Sequence, residues 1–143
     1  MKTDWYTHEF VEFIPENPRT SVLYVSLYYG TAVHLCMCGC GYEVTNPLSP
    51  QQWRLIFDGR HVSLTESVGN WSFECESHYW LEGGAVVWEP SWSRRRIASG
   101  RKATRRRIDE SFNATSVPHQ SAGPVTRRAP WVRRICSAIG RRP

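Results

Sequence analysis

The chain has 143 residues, enough for one domain with a sizeable core. Its net charge of +5 is unevenly distributed along the chain. Residues 1–93 contain four Lys/Arg and eleven Asp/Glu, whereas residues 94–143 contain fourteen Lys/Arg and two Asp/Glu. No apolar run approaches the roughly 20 residues of a membrane-spanning helix, and no apolar signal segment follows Met1. These features argue against a membrane protein, and we expect a cytoplasmic one in which the thiols stay reduced.

Short β-strands are predicted along the first part of the chain, where β-branched and aromatic residues alternate with turn residues. Residues 10–14 form one predicted strand that ends before Pro15, and residues 21–29 form a second that ends at Gly30. Residues 31–36 and 42–45 are the next two predicted strands, on either side of a Gly-rich turn.

Turn signals divide the following segment into hairpins. Residues 49–53 allow at most one helical turn, and Asp58-Gly59 is a strong two-residue hairpin signal between residues 53–57 and 61–64. A turn is predicted at residues 68–70. The remaining predicted strands cover residues 71–73, 79–81 and 85–88. The sequence therefore predicts a small all-β domain of short antiparallel strands and hairpins over residues 8–92.

The remaining residues, 93–143, have a different composition. Arg runs alternate there with Ser, Ala, Pro and Gly, while six of the seven Trp and all six Tyr precede this segment. Such a composition cannot build a core, so we expect a basic, mostly disordered tail. A basic helix over residues 93–110 is left open, with disorder from 111 to 143. The Arg runs suggest non-specific nucleic-acid binding through phosphate contacts.

Four cysteines and a histidine of the predicted domain have the spacing of a zinc site. Cys36, Cys38 and Cys40 fall within one Gly-rich turn, and Cys75 and His78 form a second pair three residues apart. Zinc binds four thiolate or imidazole ligands in a tetrahedron, and it would stabilise a domain of this size. We therefore predict one zinc ion held by four of these five residues, and the sequence does not say which four.

Catalytic residues are not identified by the sequence. It lacks the His-Glu-x-x-His arrangement of zinc peptidases, so we predict a closed structural zinc site. Any hydrolysis would then need a separate nucleophile, either a serine or a spare cysteine, close to His34 or His78. His34 itself is interpreted as a core or supporting residue. The candidate serines are Ser63, Ser67 and Ser77.

Three separated motifs resemble a bacterial family catalogued as domain of unknown function 6527. They occupy residues 34–41, 62–71 and 75–80, and the resemblance extends over residues 8–92. That family is often encoded beside ubiquitin-like proteins and their E1-like and E2-like enzymes. The resemblance implies a role in a bacterial ubiquitin-like conjugation pathway, with a ubiquitin-like protein or its E1-like or E2-like enzymes as partners.

Three functions follow from these observations. The first is a zinc-binding accessory protein of a bacterial ubiquitin-like modification system. The alternative is a hydrolase, specifically a peptidase that processes or removes the ubiquitin-like modifier. A further alternative is a nucleic-acid-associated zinc module that acts through the Arg-rich tail. Whether the protein is an enzyme is left open.

Overall fold

Nine short strands and one helix make up residues 1–115, the part of the chain that the computed structural model describes. The predicted mostly-β class is therefore confirmed. The elements are β1 (Thr7–Phe10), β2 (Val22–Ser26), β3 (Thr31–Leu35), β4 (Glu43–Pro47), β5 (Leu55–Phe57), β6 (Val62–Leu64), β7 (Val68–Gly69), β8 (His78–Glu82), β9 (Ala85–Trp88) and α1 (Arg94–Thr115).

The first four strands form one sheet in the order β1-β2-β3-β4. All five residues of β2 are buried, as the run of β-branched and aromatic side chains predicts. β1 pairs parallel to β2, whereas the other two pairings are antiparallel. The parallel pairing departs from the predicted antiparallel arrangement. The long connection through Pro15 and Pro18 carries the chain back to the end of the sheet at which β1 begins, so β2 runs in the same direction as β1.

Both hairpins form, although the first has a four-residue loop, residues 58–61, instead of the predicted two-residue turn. β5 and β6 pair antiparallel around Asp58-Gly59, where Gly59 has φ 93° and Asp58 Oδ1 accepts backbone N–H groups from Arg60 and His61. β8 and β9 pair around Gly83-Gly84 in the same way. β7, β8 and β9 form the third sheet.

Residues 71–73 do not form the predicted strand. The amide of Phe73 donates to the carbonyl of Asn70, and the amide of Glu76 donates to the carbonyl of Phe73, so the segment is a succession of turns. The pairing with β8 is made earlier, where Val68 lies opposite Tyr79 at a position predicted to be a turn. The strand prediction failed because aromatic residues are common both in strands and in turns that cover a core.

One hydrophobic core is shared by the three sheets. Leu23 and Val25 come from the first sheet, Val62 from the β5–β6 hairpin, and Tyr79 and Leu81 from the third, and all five side chains have no exposed surface. Residues ahead of the predicted start of the domain also pack onto it.

Tyr6 is one of these early residues, and its side chain is buried in the core. Its hydroxyl donates to the carbonyl of Val62, and burial raises its pKa to about 12. We expect Tyr6→Phe to lower the free energy of unfolding by about 1–3 kcal/mol, because a buried carbonyl loses its partner. Urea denaturation measures this change. An unchanged midpoint would show that the bond from the Tyr6 hydroxyl to Val62 does not contribute to stability.

The helix α1 follows the last strand directly. Its first turn is capped by Ser93, whose Oγ accepts a hydrogen bond from the amide of Arg96 at 3.4 Å. Farther along the helix, Arg106 forms an ion pair with Glu110, four residues after it. The helix continues to residue 115, so the disorder expected from residue 111 is wrong for residues 111–115. At the start of this last part, the hydroxyl of Ser111 donates to the carbonyl of Ile108 at 2.7 Å. The disorder predicted for residues 116–143 lies outside the described residues.

The charge and length of α1 bear on two further expectations. Its Arg runs at residues 94–96 and 105–107 are exposed, and nucleic-acid binding through them stays a prediction. Within residues 1–115, no helix combines the length and the apolar character needed to cross a membrane.

Candidate functional site

The three cysteines after β3 lie in a tight turn. Gly39 and Gly41 have φ of 84° and 85°, a left-handed conformation that glycine adopts without strain. The amide of Gly39 donates to the carbonyl of Cys36 at 2.9 Å and closes the turn. This backbone brings alternate side chains, which would otherwise spread along a strand, to one place.

Cys75 completes a cluster of four thiols with this turn. The Sγ atoms of Cys36, Cys38, Cys40 and Cys75 all lie within 4.8 Å of one another, and all four cysteines are free. The Sγ–Sγ separations are 3.3 Å for Cys36–Cys38, 4.0 Å for Cys36–Cys75 and 3.7 Å for Cys40–Cys75. Tetrahedral zinc with bonds of about 2.3 Å to sulfur holds its ligands about 3.8 Å apart. The four thiols can therefore hold a metal ion, and the donor set fits zinc.

Polar side chains surround the most buried thiol of the cluster, Cys36. Ser77 Oγ lies 3.1 Å from its Sγ, Asn70 Nδ2 donates to it at 3.3 Å, and the hydroxyl of Tyr79 lies 3.9 Å away. Groups of this kind can donate to a thiolate, so the cluster is prepared to carry negative charge.

The thiols differ in how readily they ionise. Burial raises the pKa of Cys38 and of Cys40. Burial acts in the same direction on Cys75, but hydrogen bonds with the side chain and backbone of Ser77 outweigh it and lower its pKa to about 7. Among these three thiols, Cys75 therefore ionises most readily.

His34 lies inside the core, as the sequence predicts. It has no exposed surface, and its Nε2 is 2.9 Å from the hydroxyl of Tyr79. Burial lowers its pKa to about 3, so the imidazole is neutral at physiological pH. Its burial keeps it away from any substrate.

His78, the fifth predicted metal ligand, is not brought into the thiol cluster. It begins β8, and Ser77 and Tyr79 on either side of it both contact Cys36. Neighbouring residues of a strand point to opposite faces, so His78 points away from the cysteines. Its Nδ1 lies 3.3 Å from the carbonyl oxygen of Pro90, and its ring packs against Trp71 and Trp92.

The other face of β8 borders an open cleft of about 370 Å³. Ser67 and His78 both line it, and indole rings form much of its wall. The side chains contributed by the strands and loops are Gln52, Trp53, Glu66, Ser67, Trp71, His78 and Trp92; those from the helix include Ile97, Arg101, Thr104 and Arg107.

Trp71 is held in this cleft by the absence of a side chain at Gly69. A Cβ added at Gly69 would lie 2.3 Å from Trp71 Nε1, closer than any real contact. Gly69 also pairs with His78 across β7 and β8. The glycine therefore places the indole beside the imidazole.

A family model described as "Bacterial ubiquitination-like system serine protease (BubE)" matches residues 10–89. The chain belongs to this family. No curated protein and no solved structure matches the chain significantly. The match confirms the predicted link to a bacterial ubiquitin-like system, and it does not confirm the label of unknown-function family 6527. The protein is thus a component of a bacterial ubiquitination-like system.

The BubE match covers both groups of residues described above. All four cysteines, Ser67 and His78 fall within residues 10–89, whereas Pro90, Trp92 and α1 lie beyond them. The family description names a serine protease, which differs from a purely accessory zinc protein. It therefore directs attention to the three candidate serines.

The three serines have different surroundings. Ser77 Oγ is engaged with Asn70 and the thiols, on the face of β8 away from the cleft. Ser63 Oγ accepts the amide of Gly83 at 2.8 Å and does not line the cleft. Ser67 lines the cleft together with His78, although within residues 1–115 no hydrogen bond joins the two side chains.

Several residues of the cleft were missed by sequence reasoning. Trp71 and Trp92 line the cleft, and neither was among the candidate site residues. The alternation of Ser77, His78 and Tyr79 along a strand is the signal that would have separated His78 from the cysteines.

Proposed function

We propose that this BubE-family chain is a serine peptidase that cleaves a peptide bond of a ubiquitin-like protein, with Ser67 as nucleophile and His78 as general base. One observation carries the proposal: Ser67 and His78 line the same cleft, within the part of the chain that matches the family. The alternative base, His34, is buried in the core.

The surroundings of His78 suit a general base. Its Nδ1–H donates to the carbonyl of Pro90, which fixes the tautomer that leaves Nε2 with a lone pair. In serine proteases with a catalytic triad, a carboxylate performs this orienting role. A backbone carbonyl orients the ring without supplying the negative charge that stabilises the imidazolium. In structures without substrate, catalytic hydrogen bonds are often long, so the absence of a Ser67–His78 bond is compatible with this assignment.

The reaction then follows the usual course of acyl transfer. His78 Nε2 takes the proton of Ser67 as Oγ attacks the scissile carbonyl carbon, and the tetrahedral intermediate collapses as the C–N bond breaks. The proton passes from His78 to the departing amine. A water molecule, deprotonated by the same imidazole, hydrolyses the ester and restores Ser67.

The four cysteines are proposed to hold a structural zinc ion. Zinc bound there would cross-link the turn at residues 36–41 to Cys75, and four thiolate ligands would leave no position for a substrate. Cys75 lies three residues before His78, so this cross-link would fix the approach to β8. The chain's own Ser77 and Asn70 support the thiolate of Cys36 on the face opposite the cleft.

The test is a cleavage assay with a ubiquitin-like protein of the same bacterial system. The purified chain is incubated with the ubiquitin-like protein carrying its natural C-terminal sequence, and separately with a conjugate, and products are identified by intact mass. We expect a defined loss of mass or release of the modifier without any other enzyme. An accessory protein would leave both substrates intact unless the E1-like and E2-like enzymes were added.

Gly69→Ala is expected to reduce cleavage by about 10- to 100-fold, because the new Cβ displaces Trp71 from its position beside His78. Cleavage kinetics and circular dichroism measure activity and folding separately. Adding Gly69→Ala to Trp71→Ala should cost little further activity, because the ring that the methyl displaces is already gone. Fully additive losses would show that the glycine acts by another route.

A further inference from the structure

The segment that follows the family-matched region folds back across the candidate cleft. The match ends at residue 89, and residues 90–115 contribute Pro90, Trp92 and α1 to the surroundings of His78. We propose that residues 92–115 form an autoinhibitory strap, in which the indole of Trp92 covers His78 until a substrate or partner displaces it. The covering of His78 by Trp92 does not depend on the proposed peptidase function, whereas the expected effect on cleavage does.

The ring of Trp92 lies directly on the proposed base. Its centroid is 4.8 Å from that of His78, in an edge-on arrangement, and it stacks on Trp71 at 5.9 Å with an interplanar angle of 25°. His78 is only 3% exposed as a result of these contacts and of its place in β8. A base that accepts a proton during attack on a bound substrate needs access to that substrate, and the indole occupies the approach.

The helix is attached to the cleft by a short series of contacts. Ile97, Gly100 and Thr104 lie along one side of α1 and line the cleft. Arg107 Nη1 lies 3.9 Å from Glu66, the residue next to Ser67, and both side chains are 48% exposed. The guanidinium of Arg96 stacks over Trp92 at 3.9 Å.

These contacts hold the strap weakly. Exposed ion pairs contribute little and are screened by salt, and most residues of α1 are exposed. Attraction between the acidic residues 1–93 and the basic helix adds a long-range component to the closed arrangement. The strap is therefore suited to open when a partner competes for its contacts, rather than to close the cleft permanently.

The first test compares cleavage by full-length wild type and by Trp92→Ala. We expect Trp92→Ala to cleave at least about tenfold faster at low substrate concentration, the factor by which a closed fraction of nine tenths reduces apparent activity. Trp92→Phe retains a ring and should lie between the two. Trp5→Ala, which removes an exposed indole outside the cleft, is the matched control and should leave the rate unchanged.

A second variant, Arg107→Glu, tests the strap independently in case Trp92→Ala does not fold. Arg107→Glu keeps Trp92 and places a carboxylate beside Glu66, so it should also raise the rate, by a smaller factor. Equal or lower rates in both variants, with unchanged melting temperatures, would overturn the strap.

A readout independent of cleavage is the acylation of histidines by diethylpyrocarbonate, mapped by mass spectrometry. His61, which is partly exposed, serves as internal reference. We expect His78 to be modified slowly relative to His61 in wild type and faster in Trp92→Ala. Faster modification without any cleavage in either protein would support the strap and reject the peptidase function. Cleavage in both proteins with no change in rate or in modification would reject the strap alone.

Discussion

Ser67→Ala is expected to reduce cleavage of the ubiquitin-like protein by about 10⁴-fold or more, because removing a serine nucleophile leaves only binding and any stabilisation of the oxyanion. The variant should fold normally, since Ser67 lies in the cleft and outside the core. Intact-mass analysis of timed samples measures the loss.

Ser63→Ala is the matched control for this prediction. It removes a hydroxyl from the same stretch of chain, and that hydroxyl is bonded to the amide of Gly83 rather than directed to the cleft. Its cleavage rate should stay within a small factor of wild type. Full activity of Ser67→Ala, or loss of activity in Ser63→Ala alone, would contradict the assignment of the nucleophile.

Removal of the metal is expected to unfold the region around the thiol cluster. Structural zinc contributes on the order of 10 kcal/mol to small domains, which equals or exceeds the whole stability of many of them. The purified protein should contain about one zinc per chain, and a strong chelator or Cys75→Ser should abolish the cooperative thermal transition. Metal analysis and calorimetry measure the two quantities.

Cys136→Ser supplies a control for the cysteine substitution. Cys136 is the fifth cysteine of the sequence and lies outside the described residues, in the segment predicted to be a tail. Its replacement should leave the zinc content and melting temperature unchanged. A metal-free protein that melts at the same temperature as the wild type would show that the thiols do not hold a structural ion.

His78→Ala separates the two roles that the sequence left open for this residue. As a metal ligand it would affect zinc content, whereas as a base it would affect cleavage. The position of His78 against Trp71 and Trp92 predicts unchanged zinc content together with a large loss of activity.

The sequence predicted those parts of the fold that depend on local chemistry. Asp58-Gly59 specified a hairpin because glycine adopts the positive φ of its turn, although the loop is four residues long rather than two. Gly39 and Gly41 allowed three thiols to converge within one turn. The parallel pairing of β1 and β2 was not predictable in this way, since it depends on the course of a long connection rather than on a turn.

The cleft was less accessible to sequence reasoning than the thiol cluster. The cysteines are recognisable from their type and spacing, whereas Ser67, His78 and Trp92 come from separate segments that only the packed sheets bring together. His78 was grouped with Cys75 because their spacing is typical of zinc loops. The prediction did not take into account that β8 begins at His78 and directs alternate side chains to opposite faces.

Covalent labelling of the nucleophile tests the central claim most directly. The full-length chain is incubated with a fluorophosphonate, which reacts with activated serines, and the modified residue is located by tandem mass spectrometry. The account predicts a single adduct on Ser67, absent from Ser67→Ala and from His78→Ala. An adduct on another serine only, or undiminished cleavage of the ubiquitin-like protein by a preparation in which Ser67 is fully modified, would contradict it.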